Sequence, residues 1–137
     1  MKEDCIFCKI ARGSIPSATV YEDSHFRVIL DINPATKGHC LIIPKEHFDN
    51  IYDLDGETAG KLFSLATCIA RAMKDALKCD GLNVLQNNGQ IAGQTVFHFH
   101  LHLIPRYEGD EVNLTWTPHE SDAEELEELR KAIRKGI

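Results

Sequence analysis

Val96-Phe97-His98-Phe99-His100-Leu101-His102-Leu103-Ile104 is the stretch on which the reading of this chain turns. Three of the seven histidines fall within it, alternating with Phe97, Phe99, Leu101 and Leu103. Successive side chains of an extended strand point to opposite faces. The pattern therefore predicts a strand over 96–104 with all three imidazoles on one face and the apolar residues turned into a core. Aromatic and aliphatic residues favour such a strand in their own right. Histidines that merely cover an exposed sheet face are the plain alternative; three in one register point instead to a site.

Geometry limits what one metal ion could do with these rings. A rise of about 3.3–3.4 Å per residue sets His98 and His102 about 13 Å apart at the backbone, whereas two ligands of one zinc lie no more than about 4.2 Å apart. Two neighbours can share an ion, but three in a straight strand cannot, so at least one imidazole is free for another task. A neutral imidazole titrates near pH 6.5 and offers an unprotonated nitrogen that can attack phosphorus or carry a proton. Immediately upstream, Asn87-Asn88-Gly89-Gln90-Ile91-Ala92-Gly93-Gln94-Thr95 combines two glycines with several hydrogen-bonding side chains, a composition that lets donors approach phosphate oxygens. The loop has neither the GxxxxGK[ST] nor the GxGxxG pattern.

Working outward, 137 residues that are 43% hydrophobic and 26% charged suit one domain, which buries about two-thirds of its unfolded surface. With 15 Lys+Arg against 21 Asp+Glu the net charge is -6, which excludes a broad basic field for nucleic acid; anionic substrates must be met locally. Met1-Lys2-Glu3-Asp4-Cys5 lacks the apolar core of a signal peptide, and no apolar run approaches the roughly 18 residues of a membrane span. A soluble, cytoplasmic protein with no membrane partner is expected. Five cysteines, an odd and mostly scattered set, argue against a disulfide framework and for a reducing compartment.

The remaining elements follow from periodicity and breakers. A short helix is expected over 5–12, ended by Ile15-Pro16, and a strand over 18–21. Strands are expected over 26–32, closed by Asn33-Pro34, and over 39–43, closed by Pro44. From Asp55 to Lys78, Ala59, Leu62, Phe63, Ala66, Ile69, Ala70, Met73, Ala76 and Leu77 mark one face of a long helix. A strand over 82–86 then pairs with the histidine strand as an antiparallel hairpin through the Asn88-Gly89 turn. Near the end, Ser121 and Glu124 form a capping-box pair ahead of an apolar stripe at Leu126, Leu129 and Ile133, which predicts a helical extension over about 120–136. Its acidic residues lead and its basic residues trail, as the helix dipole favours. Trp116 is expected to fill core.

Cys5-x-x-Cys8 has the spacing of half a tetrahedral zinc site and needs two more nitrogen or sulfur ligands, for which His47 and His98 are candidates. Two buried thiols, or a redox pair, are the other readings of the same spacing.

The run Gly93-Gln94-Thr95-Val96-Phe97-His98-Phe99-His100-Leu101-His102-Leu103-Ile104, taken whole, resembles the histidine-triad (HIT) family of nucleotide hydrolases and transferases. The resemblance extends through Cys5-Ile6-Phe7-Cys8-Lys9-Ile10, Ile15-Pro16, Asp31-Ile32, Lys37-Gly38-His39, Ile43-Pro44-Lys45-Glu46-His47 and Asn87, nearly everything up to Arg106. It implies that residues 1–137 form a single HIT domain: a homodimeric α+β fold whose antiparallel sheet carries the histidine strand at its centre. It further implies that His100 attacks an α-phosphorus to form a nucleotidyl-histidine. His102 would contact the phosphate, and Thr95, Gln94 and Gly93 would hold it or assist the leaving group. Asp31 would accept the ribose hydroxyls, Ile6, Phe7 and Ile32 would line the base pocket, and Asn87 and His39 would complete the polar wall. Read only as residues, Asp31 also suits a strand-ending turn, Phe7 and Ile32 suit core, and His39 a structural role. Zinc-bearing relatives resemble this chain at Cys5, Cys8, His47 and His98, which implies a structural zinc and leaves His100 and His102 free. The substrates implied are a purine nucleoside phosphoramidate, a dinucleoside polyphosphate or a related adenylyl compound. A nucleotide-binding scaffold with little turnover, and a metal-dependent enzyme using the histidines as ligands, are the competing readings.

Overall fold

A computed structural model describes residues 2–137; Met1 lies outside them. Five strands, β1 (Thr19–Glu22), β2 (Phe26–Leu30), β3 (Cys40–Pro44), β4 (Gly81–Leu85) and β5 (Leu101–Arg106), form one antiparallel sheet in the order β1-β2-β3-β5-β4. Three α-helices accompany it: α1 (Ile6–Ala11), α2 (Gly56–Leu77) and α3 (Ala123–Arg134). The architecture is the α+β arrangement expected, with β5 inside the sheet but β3 at its middle.

α2 starts where the Asp55 carboxylate accepts from the Thr58 amide, and ends at Lys78 in the left-handed conformation. Its buried residues Leu62, Ala66, Ile69 and Met73 follow the three-and-four spacing of one face, each large side chain contributing about 1.5–3 kcal/mol by burial. They pack on Phe26, Val28, Cys40, Ile42, Leu101 and Leu103. The alternate residues Ile29, Leu41 and Ile43 point to the opposite face, where Ala11, Phe7 and Ile10 of the much shorter α1 cover them. Six residues of helix cannot cover a whole sheet face. The uncovered part is where His102, pairing with Leu41 and Leu85, emerges from β5.

The paired part of the histidine segment is shorter than its alternation predicts: β5 begins at Leu101, and residues 96–100 belong to no ladder. The neighbours run out first, since β3 pairs as far as Leu101 and β4 as far as His102. Phe99 instead donates its amide to the Phe48 carbonyl at 2.6 Å. Phe97 is half exposed rather than core, as is Phe63 on α2. The C-terminal helix spans Ala123–Arg134, and the capping box does not form. Asp122 is its N-cap, so Ser121 lies one residue too early and Glu124 is not at the third helical position. Trp116 is 83% exposed and fills no core, and the stripe Leu126, Leu129, Ile133 faces solvent. Among the described residues no helix is long and apolar enough to cross a membrane.

Candidate active site

The N-terminus of α1 and the segment leading into β5 meet at a cluster of four soft donors. Cys5 is the N-cap, its Sγ accepting from the Cys8 amide at 3.3 Å, so one tight turn places both thiols together. Cys5 Sγ lies 3.4 Å from His98 Nδ1, Cys8 Sγ lies 3.4 Å from His98 Nδ1 and 3.3 Å from His47 Nδ1, and the two Nδ1 atoms are 3.1 Å apart. Tetrahedral zinc with bonds of about 2.1 Å to nitrogen and 2.3 Å to sulfur has ligand–ligand edges of about 3.4–3.8 Å, so the set fits that ion with little adjustment. The outer partners agree. His98 Nε2–H donates to the Pro44 carbonyl at 2.8 Å and His47 Nε2–H to Asp49 Oδ1 at 2.7 Å, which leaves both Nδ1 lone pairs facing the thiols. Burial pushes His98 down to about 4, so its ring is neutral, and raises the Cys5 thiol.

Two residues further on, His100 is buried, with Nδ1–H donating to the His98 carbonyl at 2.7 Å. A carbonyl oxygen can only accept, so Nε2 carries the lone pair. The Phe7 ring stands edge-on to His100 at a centroid distance of 4.8 Å, and the His102 ring lies 4.9 Å away. The same Phe7 ring stands edge-on to His98 at 6.2 Å, so all three triad rings lie on the side of the segment that α1 covers. His102 Nδ1 sits 2.9 Å from His39 Nε2, which is itself 3.8 Å from Asp31 Oδ2. Burial lowers His39 and His100 and takes His102 to about 4, so these imidazoles are neutral at physiological pH.

His100 and His102 open on a cavity of about 470 Å³, within the range of small-molecule sites. Ile6, Phe7 and Ile32 are among its apolar lining residues, and Asp31 and Thr95 add polar groups. Seven residues expected at a nucleotide site are therefore brought together: Ile6, Phe7, Asp31, Ile32, Thr95, His100 and His102. Four others are not on the wall. His39 is buried behind His102. Gln94 is turned inward, its amide donating to the Asp49 and Val96 carbonyls and accepting from the Gly89 amide. Asn87 braces the Gly93 carbonyl at 3.5 Å, and Gly93, at φ +97, closes the short 3₁₀ turn Gln90–Ala92. The polar side chains of this loop brace it and tie it to the segment at Asp49 and Ile51. Sequence reasoning missed Asp49, whose position two residues after His47 was its only signal. It also missed the Pro44, His98 and Ala35 main-chain partners, which carry no residue signature.

Residues 12–109 match the HIT domain. The chain is 49% identical over 138 residues to Protein hit of Bacillus subtilis, covering 98% of this chain and 95% of that one. An adenosine 5′-monophosphoramidase of Saccharomyces cerevisiae is 42% identical over 130 residues, covering 94% of this chain and 80% of that protein. An adenylylsulfatase of Arabidopsis thaliana is 43% identical over 110 residues, covering 80% and 56%. A solved structure from Streptococcus mutans UA159 superposes with a TM-score of 0.96 at 48% identity, covering 99% of this chain and 87% of that one. A Zn-bound histidine triad family protein from Mycobacterium smegmatis does so at 0.76 and 40%, covering 94% and 97%. The domain match spans most of the sequence and takes in the whole imidazole segment, and relatives of similar length share nearly half of its residues: the chain belongs to the histidine-triad (HIT) family.

Proposed function

We propose that this protein hydrolyses or transfers the nucleotidyl group of a purine nucleoside phosphoramidate, dinucleoside polyphosphate or related adenylyl compound, acting at the α-phosphate through a nucleotidyl-histidine. The observation that carries this reading is the bare Nε2 of His100, held at the cavity by the His98 carbonyl. In the first step Nε2 attacks the α-phosphorus and the bond from phosphorus to the leaving group breaks. The departing oxygen or nitrogen takes up a proton in the cavity, where His102 and Thr95 are lining polar residues. In the second step water attacks the same phosphorus, the P–N bond to His100 breaks, and the nucleoside monophosphate leaves with His100 restored. Asp31 accepts the ribose hydroxyls and Ile6, Phe7 and Ile32 flank the base; Gln94, Asn87 and Gly93 shape the loop that carries Thr95. Relatives named for adenosine monophosphoramidase and adenylylsulfatase activity support an adenylyl donor.

Cys5, Cys8, His47 and His98 would hold a structural zinc, as the donor geometry and the Zn-bound family member support. Such an ion supplies a cross-link between α1 and the His98 segment rather than a reacting centre. A homodimer is the proposed assembly: the β4 edge with exposed Val84, Trp116 and the stripe of α3 are the apolar surfaces a second copy would cover. Unpaired cysteines support a reducing, cytoplasmic location.

The test is rapid quenching of the reaction with a labelled adenylyl donor, followed by mass spectrometry of the labelled peptide, with adenosine phosphoramidate compared against diadenosine polyphosphates. Label on His100, turnover lost in His100→Ala and chemistry insensitive to brief chelation are expected. AMP binding without turnover of any donor would replace the enzyme by a nucleotide-binding scaffold, and activity lost at once to a chelator and restored by metal would replace the mechanism.

A further inference from the structure

His39 is set behind His102, away from the cavity, and its environment is unusually directional. The Ala35 amide donates to its Nδ1 at 2.9 Å. An amide N–H can only donate, so Nδ1 is the bare nitrogen, and the single proton of the neutral ring resides on Nε2. That Nε2–H lies 2.9 Å from His102 Nδ1, with the Asp31 carboxylate 3.8 Å away on the same side. His102 Nδ1 must then accept, which leaves the proton of His102 on its own Nε2. Because Nδ1 is committed to the buried His39, Nε2 is the nitrogen His102 presents to the cavity.

We infer that the Ala35 amide, acting through His39, is a positioning device that fixes His102 as a hydrogen-bond donor while the His98 carbonyl fixes His100 as a lone-pair donor. Two adjacent, chemically identical rings are given opposite roles by one main-chain donor and one main-chain acceptor. The inference rests on the proposed nucleotidyl transfer for the task assigned to His102. In that task the leaving group's bond to phosphorus breaks while the His102 Nε2–H, keeping its proton, hydrogen-bonds the departing atom as negative charge builds on it; that atom then takes its proton from water at the open cavity, and the hydrolytic water loses one to solvent.

The amide is held in place from several directions. Thr36 Oγ1 donates to the Pro105 carbonyl, the His39 amide to the Thr36 carbonyl, Tyr107 Oη to the Lys37 carbonyl and the Asn33 amide to Asp31 Oδ1. With His39 buried, solvent has little access to replace the Ala35 donor. The same chain answers another reading of these residues. Asp31, His39 and His102 place one donor atom each within 4.8 Å of one another, close enough to enclose a cation. A cation on His39 Nε2 would drive its proton to Nδ1, where it would face the Ala35 N–H donor to donor. The cluster is therefore read as a hydrogen-bond relay.

Nitrogen-15 NMR of histidine-labelled full-length protein at neutral pH tests the assignment without any substrate. His39 and His102 are expected as Nε2–H tautomers and His100 as Nδ1–H; a His102 ring protonated on Nδ1, or a His39 ring protonated on Nδ1, overturns the inference. Two variants test the role. His39→Leu removes the donor, and is expected to release His102 to a tautomer mixture and to lower kcat on the order of tenfold to a hundredfold for donors with basic leaving groups, with KM little changed. His39→Gln, which can place an N–H near the lost Nε2, is expected to recover most of both. Equal loss in the two variants with an unchanged His102 spectrum overturns the positioning role. Should the tautomers appear as stated while no adenylyl donor is turned over, the proposed reaction fails and the proton assignment stands. Label on His100 with the opposite His102 tautomer does the reverse.

Discussion

His100 and His102 differ in what their environments leave exposed. Losing the bare nitrogen of His100 removes the bond-forming atom itself, so His100→Ala is expected to lower kcat/KM on the order of a thousandfold or more for its best donor, measured in steady state beside an unaltered thermal midpoint. The side chains at this scale were readable from the sequence: the alternation through 98–102 placed the rings, and residues as far apart as Phe7, Asp31 and Thr95 converge on the same cavity. What could not be read are main-chain partners, because a carbonyl or an amide looks the same at every position. For the same reason Gln94, a polar residue before Thr95, reads as a ligand-facing donor, although its amide is turned inward onto the Gly89 amide and the Asp49 and Val96 carbonyls.

Among the elements, two junctions carry specific expectations. Gly38 sits at φ +93 and an added Cβ would come within 2.5 Å of Leu77 Cδ1 at the end of α2. Gly38→Ala is expected to cost about 1–3 kcal/mol, read as a lower urea midpoint with an unchanged m-value. α1, whose six residues are too short to be stable alone, is held by its packing on Ile29, Leu41 and Ile43 and, with the proposed zinc bound, would be held further by the four-donor cluster. Chelation, or Cys8→Ser, is expected to raise amide exchange over Ile6–Ala11 by roughly tenfold or more while α2 stays protected. Helix α2 was the plainest element in the sequence because a repeating apolar face over twenty-two residues overwhelms local noise. The histidine strand was overextended because alternation reports which way side chains point, whereas a ladder also needs neighbours, and these end at Leu101 and His102. Ser121 and Glu124 satisfied the capping pattern, yet Asp122 between them took the N-cap.

For the molecule as a whole, the buried neutral imidazoles tie stability to acidity. Burial takes His102 from the usual 6.5 to about 4, so between these values the unfolded chain binds the proton that the folded chain refuses. Stability from this ring is fully present above about pH 6.5, declines by up to about 1.4 kcal/mol per pH unit as pH falls, and levels off below about pH 4. Urea titrations across that window are expected to show the decline, with a shallower slope in His102→Gln. The proposed second copy would be the other global determinant. Sedimentation is expected to give a dimer, and exchange over α3, a helix with no buried residue, is expected to be slow in the dimer and fast once it is diluted apart.

The repeat that identifies the site is also nearly degenerate. Sliding β5 by two residues along its neighbours would keep every ring on the same side and every aliphatic residue inward, so alternation alone fails to say which imidazole sits at which station. Proline breaks the tie. Pro105 lies beyond the last pairing with β3, opposite Leu82, where its missing N–H costs nothing and its carbonyl receives Thr36. A two-residue slide that brought it to the place of Leu103 would put it in the doubly paired zone, and a slide either way would unfasten Arg106 from Asn83 on β4. The choice of which imidazole confronts the cavity is thus anchored by a non-titrating residue and a guanidinium clamp at the far end of the strand.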